Sequence, residues 1–256
     1  MSTTWAPPEE LEETAKRLFV PPAMYIRYRY AKELRKGERE IKLVPFLADP
    51  KRAALDIGAN KGVYTYALLR AGCREVHAFE PNPKLFGVLS RWARGKATLH
   101  AEALSDTTGE AVLMVPHSKA GYSNQGASLS AQKLNGQDFG AVPVKTLRLD
   151  DAGIADVGFI KIDVEGFEMQ VLQGAVETLR RDRPTLLVEI EEKHTKRSLA
   201  EMVAEVCAYG YDCLALKRGV LTPFAQLDLA VSHDPNLRGD YIFNFVFLPV
   251  ERKMRA

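Results

Sequence analysis

The chain has 256 residues, of which 46% are hydrophobic and 27% charged, enough apolar material for a substantial core, which excludes wholesale intrinsic disorder. Thirty-five Lys and Arg against thirty-three Asp and Glu leave a net charge of +2, which argues against a nucleic acid or other long polyanion as partner. The length fits one large domain with an appendage, divided here as an amino-terminal helical extension over residues 1–48 and a main domain over residues 49–256.

The opening segment MSTTWAPPEELEET is acidic where a signal peptide needs a basic region followed by an apolar run. No stretch reaches about 18 consecutive apolar residues, so neither export nor a membrane span is expected. Cys73, Cys207 and Cys213 lack the close pairing of a zinc or redox site. They read as reduced thiols packed as small hydrophobes in a cytoplasmic protein.

From Glu9 to about Leu47 the pattern is helical, with a break at Val20-Pro21-Pro22, where proline removes backbone donors and disfavours helix before it. Tyr25, Arg27, Tyr28, Arg29 and Tyr30 follow the break. They read either as a helix packed on the main domain with its arginines extended to solvent, or as one wall of an acceptor site.

After Pro50, β-type runs alternate with helical patterns. The runs are Arg52–Ile57, Glu75–Glu80, Thr98–Ala103, Val157–Asp163, Thr185–Ile190, Cys213–Leu216 and Tyr241–Leu248; the helices are Gly62–Arg70, Lys84–Arg94, Phe167–Arg180 and Ser198–Tyr209. This series predicts an α/β, doubly wound, Rossmann-like sheet. Ala111–Val115 and Val142–Leu149 look like extra strands, and the Gly-, Ser-, Asn- and Gln-rich segment Pro116–Ala141 between them is expected to be a lid or binding loop, with His117 solvated in it.

The richest chemical signal is Leu55-Asp56-Ile57-Gly58-Ala59-Asn60-Lys61-Gly62, a buried strand running into a glycine turn that opens a helix. Gly58 lets the backbone approach a ligand, Asn60 tolerates a left-handed conformation, and Gly62 lets the helix start close to strand and ligand. The dinucleotide fingerprint fails, because Asn60 and Val63 occupy two of its three glycine positions; a phosphate-binding P-loop is absent too. A carboxylate at the strand end repels a pyrophosphate and suits a sulfonium or ammonium, and S-adenosylmethionine carries both.

Glu80, about 20 residues beyond the turn, is placed to accept hydrogen bonds from ribose hydroxyls, and Pro81 and Pro83 fix the turn into the next helix. Glu102, Ala103 and Leu104 fall where an adenine lies in such a sheet, with Ala103 and Leu104 as apolar contacts. Asp163, Glu165 and Glu168 follow the fourth strand and Glu189, Glu191 and His194 the fifth. These acidic strand ends converge on one cleft, able to orient a hydroxyl, accept its proton or hold a divalent ion.

These motifs, with Phe79-Glu80-Pro81, Ala103-Leu104-Ser105-Asp106, Ile160-Lys161-Ile162-Asp163-Val164-Glu165-Gly166 and Glu189-Ile190-Glu191, resemble the FkbM-type family of S-adenosylmethionine-dependent methyltransferases from about Asp49 to the Asn244–Pro249 strand. The resemblance implies a class I methyltransferase fold with a seven-stranded, mostly parallel sheet whose last strand is antiparallel. It also implies methyl transfer to oxygen on a sugar, glycolipid or secondary metabolite. Asp56, Gly58, Asn60, Gly62, Tyr64, Glu80, Glu102, Ala103, Leu104 and Asp163 then stand as the donor-binding set, and Asp163, Glu189 and His194 as candidate bases. Magnesium held by Asp163, Glu189 and Glu191 is the metal-assisted version. A nicotinamide-dependent oxidoreductase and a non-catalytic binding module are the alternatives; monomer and homodimer are both left open.

Overall fold

The structure is a computed structural model that describes residues 7, 19–118, 121–124, 126–130, 138–233 and 241–250. Its strands, in chain order, are β1 (Ala53–Ile57), β2 (Glu75–Phe79), β3 (Thr98–His100), β4 (Ala103–Leu104), β5 (Gly109–Ser118), β6 (Gly121–Tyr122), β7 (Phe139–Leu147), β8 (Val157–Ile162), β9 (Thr185–Glu189), β10 (Tyr211–Lys217), β11 (Val220–Pro223) and β12 (Asn244–Pro249). One eight-stranded sheet has the order β11-β10-β12-β9-β8-β1-β2-β3. β12 runs antiparallel between β9 and β10. The seven expected strands are joined by an eighth, β11, which forms an antiparallel hairpin with β10.

β1, β8 and β9 are buried along their whole lengths, as strands covered on both faces must be. Alternate residues divide between two cores. Leu55, Ile57, Ile160 and Ile162 meet the carboxyl-terminal helices through Leu172, Leu179 and Val203. Ala54, Phe159, Leu187 and Val246 meet Ile41, Val44 and Leu68 on the other face. Asp56 and Lys161, paired in register across β1 and β8, therefore point toward the amino-terminal segment.

Residues 9–18 of the expected amino-terminal helical pattern lie outside the described residues. The helix Pro22–Lys36 begins on Pro21, with Pro22 in its first turn, where a missing N–H costs nothing. Ile26 is buried, and Tyr30 meets Tyr66 edge to face at 5.3 Å with Arg70 5.9 Å above its ring. The helix thus packs on the main domain, with Tyr28 exposed and Arg29 lining the main cavity.

Two expected elements are divided. Thr98–Ala103 is broken at Ala101 and Glu102, because β4 leaves the main sheet to pair with β7. With β5 and β6 it builds a second, four-stranded sheet in the order β4-β7-β5-β6 over a small core of Leu113, Val115, Val142 and Val144. Phe167–Arg180 is two helices, Glu168–Gln173 and Val176–Asp182. The break falls at Gly174, where a Cβ would lie 2.0 Å from the Ser105 carbonyl oxygen. His117 lies in β5, its ring 4.4 Å from that of Tyr122. Among the described residues no helix is long and apolar enough to cross a membrane.

Gly62 does a packing task. It caps the helix Val63–Ala71 at φ +86°, and a Cβ there would sit 2.4 Å from Trp92 and 2.5 Å from Leu89. Gly62→Ala is expected to cost roughly 2–4 kcal/mol from overpacking and a left-handed backbone, read from urea denaturation; a cost below about 0.5 kcal/mol would contradict this packing role.

Glu168 is a buried carboxyl that accepts from the Gly166 amide at 2.9 Å. Burial raises it to about 7 against the backbone donors that lower it, so the folded chain keeps a proton here that the unfolded chain has released. Its contribution to stability is therefore full below about pH 4.5 and lost as pH rises toward 7. Glu168→Gln is expected to flatten the stability profile in that window by up to about 1.4 kcal/mol per pH unit. Urea midpoints between pH 5 and 7.5 test it, and an unchanged slope would count against the buried proton.

Candidate active site

The order of strands reverses between β1 and β8, the switch point at which open α/β sheets open a crevice beyond their carboxyl ends. A cavity of about 560 Å³ occupies that place, the size of a small-molecule site. Gly58 forms its floor at φ +79°, and a Cβ would lie 1.8 Å from the Asp163 carbonyl oxygen, so only glycine lets β1 and β8 close on each other here.

The turn after Gly58 is tied to β2 through Glu80. Its Oε2 accepts from the Asn60 amide at 2.7 Å and its Oε1 from the Asn82 amide at 2.8 Å. Asn82 in turn caps the helix Pro83–Ala93 by accepting from the Lys84 amide. Burial lifts Glu80 to about 7, with the two amides opposing. Burial likewise lifts Asp56 to about 6, against its bonded neighbour Thr65 and then Lys161. Asn60 is held at φ +54°, and its buried Oδ1 has no hydrogen-bond partner among the described residues.

Across the floor stands a second set of charges. Lys161 is fully buried, donates to Asn244 Oδ1 at 3.0 Å, lies 3.8 Å from Asp163 Oδ2 and sits 5.1 Å over the Tyr64 ring. Burial alone would depress its ammonium, but Asp163, Glu38, Glu189 and Asp56 outweigh that and hold it above its ordinary value. Glu189 is pushed far above the carboxylate range by burial and then by Asp163, which keeps it protonated at neutral pH. Enclosure also raises Asp163, with Lys161 opposing.

Glu38 joins this set from outside the sheet. Its Oε2 accepts from Tyr64 Oη at 2.8 Å and from Asn244 Nδ2 at 3.0 Å. Carboxylate oxygens of Glu38, Asp163 and Glu189 lie within 4.8 Å of one another. The expected magnesium set differs, because Glu191 is turned to Lys193 and Tyr241, both at 2.5 Å.

Asp56, Gly58, Asn60, Tyr64, Glu80, Glu102, Ala103, Leu104, Asp163 and Glu189 all line the cavity. Gly62 and His194 do not. Gly62 faces Trp92 and Leu89, as above. His194 is buried behind Gly166, where a Cβ would lie 2.9 Å from its own Cβ, and its Nε2 is 3.6 Å from Glu165 Oε2. The short helix Glu192–Thr195 turns it away from the strand ends. Tyr64 faces the Lys161 network and not Glu80. Sequence reasoning missed Glu38, Asn244 and Tyr241 and gave Lys161 no role. A lysine inside an apolar strand and an asparagine opening another were the available signals, since each needs a buried partner.

The second sheet closes the crevice from above. Leu113, Ala127, Ser128 and Leu129 line the cavity; Ser128 Oγ donates to the Glu165 carbonyl at 2.8 Å and Asn82 Nδ2 to Asn124 Oδ1 at 3.1 Å. Residues 119–120, 125 and 131–137 of the expected Pro116–Ala141 loop lie outside the described residues.

This geometry fits a nucleoside-bearing sulfonium donor. The glycine floor admits close backbone approach, the Asn60 Oδ1 awaits a donor group, Glu80 lies beyond the turn and Phe79, Ala103, Leu104 and Leu113 make an apolar wall.

The methyltransferase FkbM domain model matches residues 56–213. The chain is 29% identical over 204 residues to the 31-O-demethyl-FK506 methyltransferase FkbM of Streptomyces tacrolimicus, covering 65% of this chain and 75% of that protein. It is 26% identical over 181 residues to the hexuronic acid methyltransferase AglP of Haloferax volcanii, covering 68% of this chain and 70% of that protein. A crystal structure of methyltransferase FkbM from Methylobacillus flagellatus shares the fold at 17% identity with a TM-score of 0.50, over 77% of this chain and 44% of that one, so the chain spans less than half of that protein. These matches displace the oxidoreductase and non-catalytic alternatives: the chain belongs to the FkbM family of S-adenosylmethionine-dependent methyltransferases.

Proposed function

We propose that this chain transfers a methyl group from S-adenosylmethionine to a hydroxyl oxygen of a sugar, glycolipid or secondary metabolite. One observation carries the reading: a single cavity joins a donor side, Asp56 and Glu80, to an acceptor side, Asp163 and Glu189, across the Gly58 floor. The relatives' activities on O-demethyl-FK506 and on a hexuronic acid support an oxygen acceptor.

In this reading Asp56 and the Gly58–Asn60 turn hold the donor's methionine end, Glu80 its ribose, and Glu102, Ala103 and Leu104 its base. The bound donor supplies a methyl group already activated by its positive sulfur. The chain's remaining tasks are alignment and proton removal. Asp163 accepts the hydroxyl proton; protonated Glu189 beside it donates a hydrogen bond to an acceptor oxygen and keeps a second negative charge out of the cleft. Lys161 fixes Asp163 from beneath. Residues 1–48 act as an extension to a methyltransferase domain over residues 49–256, and the extension contributes Glu38 and Arg29 to the cavity wall.

Asp163→Asn is expected to lower kcat by roughly 10²–10⁴-fold, the usual value of a positioned base, while leaving affinity for S-adenosylhomocysteine within about threefold. Labelled-methyl transfer to a panel of sugars, glycolipids and secondary-metabolite alcohols, alongside calorimetry, checks both. Near-normal turnover by the variant, or no binding of the donor or its product to the folded wild-type chain, would contradict the reading.

A further inference from the structure

We infer that Glu38 contacts the acceptor and makes this cleft select an uncharged polyhydroxy acceptor over an anionic one. The inference rests on the hydroxyl-acceptor reading above and narrows it.

Glu38 lies outside the family-matched segment, residues 56–213, yet three separate elements build it into the cleft. Tyr64 and Asn244 both donate to its Oε2, and Asn244 is itself fixed by Lys161. The Glu38 amide donates to Glu33 Oε1 at 2.9 Å, which anchors the turn after the helix Pro22–Lys36. Both of the described bonds fall on Oε2, so Oε1 is the carboxylate oxygen that keeps its accepting capacity for a hydroxyl. A carboxylate held by two donors in this way is oriented before the acceptor arrives, and an oriented charged acceptor of hydrogen bonds is the group that holds a hydroxyl best.

The surrounding charge decides which hydroxyl compounds enter. Acidic side chains outnumber cationic ones nine to four among the described residues lining the cavity, and eight to four with Glu189 protonated. Two of those cations are already engaged, Lys161 with Asn244 and Asp163, and Lys193 with Glu191. Placing an anion against unneutralised carboxylates is unfavourable. Neutral hydroxyls carry no such penalty, and Tyr241 and Phe243, whose rings lie 5.7 Å apart on the same wall, offer an apolar surface for the carbon face of a ring. The cleft thus differs in charge preference from what a hexuronate acceptor requires.

The test uses the full chain, S-adenosylmethionine with a labelled methyl group, and two matched pairs of probes: methyl glucoside with methyl glucuronoside, and methyl galactoside with methyl galacturonoside. The wild-type chain is expected to favour the neutral member by at least about tenfold in kcat/KM. Saturation-transfer NMR in the presence of S-adenosylhomocysteine should show the same order of binding without turnover. Glu38→Gln is expected to raise KM for the neutral probe about tenfold with kcat within about threefold, the pattern of a lost ground-state contact, and to narrow the discrimination. Glu38→Asp keeps the charge but draws the carboxylate back by one methylene; it should raise KM and retain the rejection of glucuronosides. Preference for the uronates, or transfer and binding indifferent to both Glu38 variants, overturns the inference alone. Neither transfer to nor binding of any of the four probes, with other alcohols of the panel above methylated, also overturns the inference alone; absence of transfer to every alcohol of that panel, with S-adenosylhomocysteine still bound, overturns the hydroxyl-acceptor reading and this inference with it.

Discussion

A lysine ammonium buried in the sheet is the constraint around which the site is arranged. Lys161 sits near the carboxyl end of an otherwise apolar strand, fully enclosed, where an unpaired charge would cost several kcal/mol even after relaxation. Asp163, Glu38, Glu189 and Asp56 supply the compensating field, and Asn244 supplies the hydrogen bond. Each comes from a different part of the chain: β1, the ends of β8 and β9, the start of β12 and the segment before the sheet. A buried ion network of this kind is weak as a source of stability. Its effect is geometric, because the acidic ends of three strands and one outside loop must meet at a fixed point to satisfy it.

The second constraint is the contact of Gly58 with the Asp163 backbone, which leaves no room for a Cβ. It sets the distance between the two halves of the cavity. Asp56 and Glu80 lie on one side of the floor, and Asp163 and Glu189 on the other, so a donor lying across the strand ends presents its reactive carbon near the acidic pair. The segment that follows β6 completes the enclosure through Ser128 and Asn124. Removing water from such a site strengthens every charge interaction in it, and the loss of hydration is the largest cause that raises Asp56, Glu80 and Glu189 there.

Much of this was legible in the sequence because its signals are local. The strand runs and the Asp56–Gly62 turn are contiguous segments whose periodicity and glycine positions report the backbone directly, and Glu80 follows at the expected interval. Three features were not legible, each for a tertiary reason. Glu38 reaches the cleft only because alternate residues of β1, β8 and β9 point to the amino-terminal face, a fact of register and not of motif. The break at Gly174 depends on a carbonyl from Ser105, distant in sequence. The departure of Ala103 and Leu104 into a second sheet depends on pairing with β7. His194, adjacent in sequence to the acidic cluster, is carried out of the cavity by one short helical turn.

The central claim is that buried, partly protonated carboxyls at the strand ends await a cationic methyl donor. Calorimetric titration of the full chain with S-adenosylmethionine near pH 7, repeated in buffers of different ionisation enthalpy, tests it most directly. A cation arriving beside Asp56 and ribose hydroxyls donating to Glu80, carboxyls that burial holds at about 6 and about 7, both favour the ionised forms and are expected to release protons. One site per chain with net proton release, diminished in Glu80→Gln, is the predicted result; absence of binding, or binding with no proton exchange in any buffer, would contradict it.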